Sequence, residues 1–281
     1  PIETHSLMIE VFDNLSNDQS EKDDLRIFLL KNKQTNSWKT TKATAAAIFA
    51  LLGNQPTSKL EILQSPKIKL GGRDININLS EAEQGTGYFK KTWAKDEVLP
   101  NLAQIEIANP NPNIAWGAVY WQYNEKLNNI KINKSSPLRV EKKLYKVLNT
   151  ERGEELVEIP ASAEMTESEE LKIGDRVRIK LMLYVEREME FLHLKDMRAS
   201  GFEPREQVSG YRWSGGLGYY QTSRDASMNF FIDYINKGTY TIEYDLNTNI
   251  KGVFSNGITT FQSMYAPEFN SHSEGREVKI K

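Results

Sequence analysis

The hydrophobic period of the chain changes once, near Pro56, from helical to alternating, and that change limits the folds open to it. Before it, Ile2, Leu7, Met8, Ile9, Phe12 and Leu15 recur at helical spacing. Ser20 with Asp23 resembles a capping box opening a second helix through Leu25, Ile27, Phe28, Leu29 and Leu30. Thr40 or Thr41 can cap a third helix from Ala43 to Leu52, with Gly53 as its left-handed stop. Three helices in so short a stretch cannot cover their own apolar faces and need further partners.

Beyond Pro56 apolar residues alternate. Ile75, Ile77 and Leu79 point one way, Ile105 and Ile107 form another set, and Trp116 to Tyr123 is dense in aromatics and valine. After Pro137 come Leu138-Arg139-Val140, then Val177, Ile179, Leu181 and Leu183, then Tyr240, Ile242 and Tyr244, with a final strand from Glu277 to Ile280. No helix-length segment separates these runs, so antiparallel sandwiches are expected and parallel α/β layers are not. The acid-rich stretch from Glu151 to Glu170 reads as a solvated, mobile loop.

At 281 residues the chain exceeds what one core usually serves, so two or three units are expected. A formal charge of −2, with no basic stripe among aromatics, argues against nucleic acid. No apolar run approaches the roughly 20 residues needed to span a bilayer. The chain starts at Pro1 with a segment already helical and too short to fold alone, so it reads as a piece of a longer precursor.

Chemistry finds little foothold. Without cysteine there is no disulfide, thiolate site or thiol nucleophile. His5, His193 and His272 have no metal-ligand spacing; His193 reads as a hydrogen-bonded sheet histidine. No Gly-x-Ser-x-Gly elbow occurs. Ser214-Gly215-Gly216-Leu217-Gly218 lacks the following helix with Lys-Ser/Thr that a phosphate loop needs, and reads as a β-turn. Asp225 and Asp233 form one of many chance carboxylate pairs. Trp93, Trp116, Trp121, Trp213, Tyr211, Tyr219 and Tyr220 could line a sugar-binding face, but core or interdomain filling is the expected role. No catalytic residue, metal or cofactor is expected, and the chain is not expected to be an enzyme.

Three stretches carry a resemblance. Trp38-Lys39-Thr40-Thr41-Lys42-Ala43-Thr44-Ala45 is the first, and Met189 to Pro204, continuing through Tyr219-Tyr220-Gln221 and Arg224-Asp225, is the second. The third is Gly238-Thr239-Tyr240 with Met264-Tyr265-Ala266-Pro267-Glu268 and Ser273-Glu274-Gly275. In this order they resemble the C-terminal portion of bacterial (Bacteroidetes-type) α2-macroglobulin-like proteins.

That resemblance implies a mainly β chain of antiparallel sandwiches, macroglobulin-like and CUB-like, with an N-terminal helical remnant of an α/α toroid. The implied domains are 1–55 (the helical end of the thioester-type toroid), 56–137 (a CUB-like β region) and 138–281 (the C-terminal macroglobulin-like sandwich). It also implies a non-catalytic segment of an endopeptidase inhibitor that traps proteases, located in the periplasm or at the cell surface. The implied partners are upstream domains of the same chain and, for the parent, proteases. The family's Cys-x-Glu-Gln thioester motif is absent here, as is the bait region, so trapping cannot belong to this segment alone. Tyr265 matches a tyrosine that shields the thioester in thioester-bearing members, with Met264, Pro267 and Glu268 completing the motif. The other reading of Tyr265 is a tyrosine that fixes the loop before the final strand. A carbohydrate-binding module on a larger cell-surface protein is the alternative function.

Overall fold

The computed structural model describes residues 2–33, 38, 40–52, 66–76, 88–110, 117–133, 137–160 and 170–281. They belong to two compact units, Pro1–Asn32 with Thr40–Tyr120, and Lys33–Lys39 with Trp121–Lys281.

The first unit opens with helices α1 (Ile2–Leu15), α2 (Gln19–Lys31) and α3 (Thr41–Leu52). Helix α1 presents Ser6 and Ile9 inward and α3 presents Ala43, Ala47 and Ala50. Small side chains on that α3 face let the two backbones approach closely. Asp18, and not Ser20, caps α2 by accepting the N–H groups of Ser20 and Glu21, while Asp23 takes a hydrogen bond from Gln19. Thr40 caps α3 through its hydroxyl and the Ala43 N–H at 3.0 Å; Gly53 lies outside the described residues. Arg26 grips both oxygens of Asp13 at 2.7 Å, tying α2 to the end of α1.

A three-stranded antiparallel sheet comes next in the order β2-β1-β3, with β1 at Lys67–Leu70, β2 at Arg73–Ile75 and β3 at Ile105–Ala108. Among its described residues the middle region is less regular than its alternation predicts. Ile77, Leu79 and Trp116 fall outside the described residues. Residues 117–123 form no ladder, and Val119, Tyr120, Trp121 and Tyr123 are exposed. Strand propensity is realised only where a pairing partner and a covering layer exist, and among the described residues this run has no ladder partner.

The second unit is a sandwich of two antiparallel sheets. Its strands are β4 (Leu138–Thr150), β5 (Gly153–Glu158), β6 (Arg176–Val185), β7 (Met189–Met197), β8 (Phe202–Pro204), β9 (Gly210–Ser214), β10 (Leu217–Arg224), β11 (Ser227–Ile235), β12 (Gly238–Thr248), β13 (Gly252–Ser255), β14 (Thr259–Ser263), β15 (Asn270–His272) and β16 (Glu277–Ile280). One sheet runs β15-β14-β7-β11-β10-β9 and the other β5-β4-β6-β12-β8; β13 and β16 pair separately. Val177, Ile179, Leu181 and Leu183 are all fully buried, and they meet Leu192, Leu194, Phe230 and Phe261 of the facing sheet in one core.

Part of the stretch expected as a loop, from Glu151 to Glu170, is strand β5. Two of its three acids are matched by basic neighbours: Glu154 pairs with Arg176 and Arg178, and Glu158 with Lys143 at 3.1 Å. The glycine cluster is the β9–β10 turn, with Gly215 and Gly216 at φ 57° and 79°, values that only glycine adopts freely in tandem.

Candidate functional site: the Met264–Glu268 turn

The four residues singled out by motif fall together on the turn between β14 and β15. Backbone and serine hydrogen bonds close it. Ser263 N–H donates to the Phe269 carbonyl and Phe269 N–H to the Ala266 carbonyl, both at 2.9 Å. Ala266 N–H donates to the Ser263 hydroxyl at 3.3 Å, and Asn270 Nδ2 donates to the Pro267 carbonyl at 2.6 Å. Only Ala266 points inward; Met264, Tyr265, Pro267 and Glu268 face solvent. Arg187 lies over the Phe269 ring at 4.5 Å. Partial burial lowers the pKa of that guanidinium, and the Glu268 carboxylate pulls the other way.

Tyr265 is 57% exposed, and its ring meets Phe191 edge-on, with centroids 5.4 Å apart and planes at 89°. Its hydroxyl takes no part in closing the turn. Phe191 is itself unusual, with φ at +51°. Inward positions on β7 pass from Met189 to Leu192, Leu194 and Asp196, so the alternation slips by one residue at Phe191. The neighbouring strand slips at the same level, where Ile232 and Ile235 point inward and Asp233 and Tyr234 do not. An aromatic residue in the left-handed region costs on the order of 1 kcal/mol and persists only where its surroundings impose it. Here the slip turns the Phe191 ring outward, and its carbonyl accepts the Met264 N–H at 2.9 Å.

The base of β14 is anchored in the core. Asp196 and Lys142 occupy positions that alternation reserves for apolar residues and pair at 2.7 Å. Asp196 also accepts the Thr259 hydroxyl at 2.6 Å and the Tyr244 hydroxyl. Lys142 additionally donates to the Met197 carbonyl at 2.6 Å. Burial lowers the Lys142 pKa, with Asp196 opposing the shift, and burial aided by the Asp196 carboxylate holds the Tyr244 phenol well above the ordinary tyrosine range. Arg276 donates to the Lys142 carbonyl at 3.1 Å, bringing the C-terminal segment onto the same cluster.

The other candidate residues do not converge. His193 Nε2 lies 3.0 Å from Asn229 Oδ1 and its ring stacks on Phe231, the sheet histidine its context predicts. His5 contacts the Leu25 carbonyl, and His272 sits beside Ser273. Among the described residues no group of three His, Cys, Asp or Glu is placed to hold a metal. Of the aromatics expected to fill core or interfaces, Tyr219 is buried, but Tyr211 and Trp213 stand 75% and 78% exposed on the outer face of their sheet. Trp213 lies flat across Gly218, where a Cβ would meet its ring at 2.8 Å. Tyr211 meets Tyr220 at 75°, so these rings are not coplanar. Sequence reasoning misses the Lys142–Asp196 cluster and Phe191. Charges at core-phase positions of Val140-x-Lys142-x-Leu144 and Leu192-x-Leu194-x-Asp196 are the legible signal for the cluster.

Residues 138–268 match the family described as the bacterial alpha-2-macroglobulin MG10 domain. No curated relative matches the sequence. Among solved structures, trypsin-activated alpha-2-macroglobulin from Escherichia coli aligns at TM-score 0.46 and 10% identity, covering 100% of this chain and 18% of that one. The native Escherichia coli protein from domain MG7 to the C-terminus aligns at 0.40 and 12%, covering 100% and 42%. Salmonella alpha-2-macroglobulin reacted with methylamine aligns at 0.39 and 13%, covering 100% and 17%. The chain thus spans about a fifth of the length of the first of these proteins. The Met264–Glu268 turn, β14 and β7 lie inside the matched residues, and over that stretch the chain is similar to the MG10 domain of bacterial alpha-2-macroglobulins.

Proposed function

We propose that the chain is a non-catalytic segment of a bacterial α2-macroglobulin-like endopeptidase inhibitor, supporting protease trapping by interdomain packing and presenting Tyr265 as a shield for a thioester elsewhere in the parent. The observation that carries this reading is the placement of Tyr265. Its ring stands outward, braced by Phe191 on a turn that closes without it. A ring so placed can cover an acyl group and keep water from it until the domains part.

The same reading assigns residues 1–55 to the end of a helical toroid, 56–137 to a CUB-like region and 138–281 to the last macroglobulin-like sandwich. Its partners are then upstream domains of the parent chain, with proteases as the parent's targets in the periplasm or at the cell surface. Exposed Leu7, Val11 and Leu15 on α1, and Phe49 and Leu52 on α3, support a packing partner for the helices.

The test is limited proteolysis of the full-length parent with several proteases, followed by assay of each protease on large and small substrates. Loss of large-substrate cleavage with small-substrate cleavage retained is expected. Equal cleavage of both after complete proteolysis of the parent would sink trapping. In a parent that carries a thioester, Tyr265→Ala is expected to speed its reaction with methylamine; an unchanged rate would remove the shielding role.

A further inference from the structure

The segment just before the MG10 domain lies along the far side of the β14–β15 hairpin. Ile130 accepts the Gly275 N–H at 2.9 Å, and Asn133 N–H donates to the His272 carbonyl at 3.2 Å. The Ser271 hydroxyl reaches the Asn133 carbonyl at 3.3 Å. Asn128 bridges two further strands, accepting from the Ser255 hydroxyl at 2.9 Å and donating to Glu277 at 3.2 Å. Gly275 passes so close to the Leu127 carbonyl that a side chain there would collide with it. Strand β15 is the end strand of its sheet, so this segment covers an otherwise open edge.

We propose that residues 127–133 are a releasable strap: while seated they hold the β14–β15 hairpin and its Tyr265 turn in place, and their withdrawal frees that turn. Functionally this rests on the shielding role proposed for Tyr265, to which it adds a means of control. Three observations support it. Two of the strap's hydrogen bonds, those of Asn128 with Glu277 and with the Ser255 hydroxyl, are exposed, in contrast to the fully buried Lys142–Asp196 cluster of the core. It follows Tyr120, where the first compact unit ends, by six residues of chain with no regular structure. It also bonds on both sides of Ser273, whose N–H and hydroxyl pair with Thr259 at the base of β14. The hairpin is therefore clamped between an internal anchor and an external one.

Hydrogen exchange on this chain tests the strap. Gly275→Ala unseats it, and Asn133→Pro removes its donor to His272. In each, the Ser263, Phe269 and Ser273 amides are expected to exchange about tenfold faster, with β6 and β12 amides unchanged. Because the chain has no cysteine, Asn128→Cys with Ser255→Cys gives one thiol pair. Oxidising it is expected to slow the same three amides, and reduction to restore them. Unchanged turn amides in the oxidised pair, or equal loosening of β6 and β12 in the other variants, would overturn the strap. Exchange needs no thioester, so a failed strap leaves the methylamine assay of Tyr265→Ala informative, and a failed Tyr265 assay leaves the strap standing.

Discussion

Lys142 of β4 and Asp196 of β7 meet across the two sheets of the sandwich at 2.7 Å, with side chains only 1% and 0% exposed. Each sits in a run of inward-facing aliphatic residues, so alternation alone would place a leucine or valine at either position. The pair is held there by further polar partners: Thr259 and Tyr244 donate to the carboxylate, and the Met197 carbonyl takes a second proton of the ammonium.

Breaking this pair from one side leaves an uncompensated buried charge, which costs about 3–5 kcal/mol, whereas apolar replacement of both charges avoids it. Lys142→Met is therefore expected to destabilise the chain by about that amount, and Lys142→Met with Asp196→Leu by clearly less. Urea denaturation followed by tryptophan fluorescence measures both. A double variant no more stable than the single would mean that the hydroxyls of Tyr244 and Thr259, left without an acceptor, outweigh the ion pair.

Tyr244 gives the pH dependence its sign. Its folded pKa is raised well above the ordinary value, chiefly by burial. Folded protein thus keeps the phenol proton above pH about 10, where an unfolded tyrosine has released it. The contribution is fully present below pH about 10 and is lost as pH rises beyond it. The stability difference between wild type and Tyr244→Phe is expected to be flat from neutral pH to about 9 and to fall above 10. A difference that grows with alkalinity would reverse the assignment.

The placement of Phe191 reverses the usual rule for strands. Glycine normally costs about 0.5–1 kcal/mol relative to alanine inside a strand, but at φ +51° alanine carries the left-handed penalty and glycine does not. Phe191→Gly is expected to be more stable than Phe191→Ala by about 1 kcal/mol in thermal or urea unfolding. Alanine the more stable of the two would show that the slip in β7 is not imposed on this residue.

Much of the sandwich is legible in the sequence because its strands are buried on one face and solvated on the other. Val177 to Leu183 and the final strand from Glu277 to Ile280 follow from alternation, and β16 has those bounds. What escapes depends on pairing between distant residues. Strand β5 is acidic and reads as a loop until Arg176, Arg178 and Lys143 are seen beside it. Trp121 and Tyr123 lie in a run with strong strand propensity and find no ladder. The turn that carries Tyr265 is found by motif alone; nothing local in the sequence foretells the slip at Phe191 that braces it.

The helices leave much of their apolar surface open to solvent. Leu7, Val11 and Leu15 succeed one another at intervals of four along α1, and they are 59%, 44% and 81% exposed; Phe49 and Leu52 of α3 are 57% and 70% exposed. Helices of this length gain most of their stability from burying an apolar face, and here the inward contacts rest chiefly on Ile9, Leu29 and three alanines. Amides of α1 to α3 are therefore expected to exchange well ahead of those of β6 and β12, whose side chains line the main core. Protection in the helices equal to that of the sandwich would mean that the few buried contacts suffice, and would leave no reason for these faces to await a further packing partner.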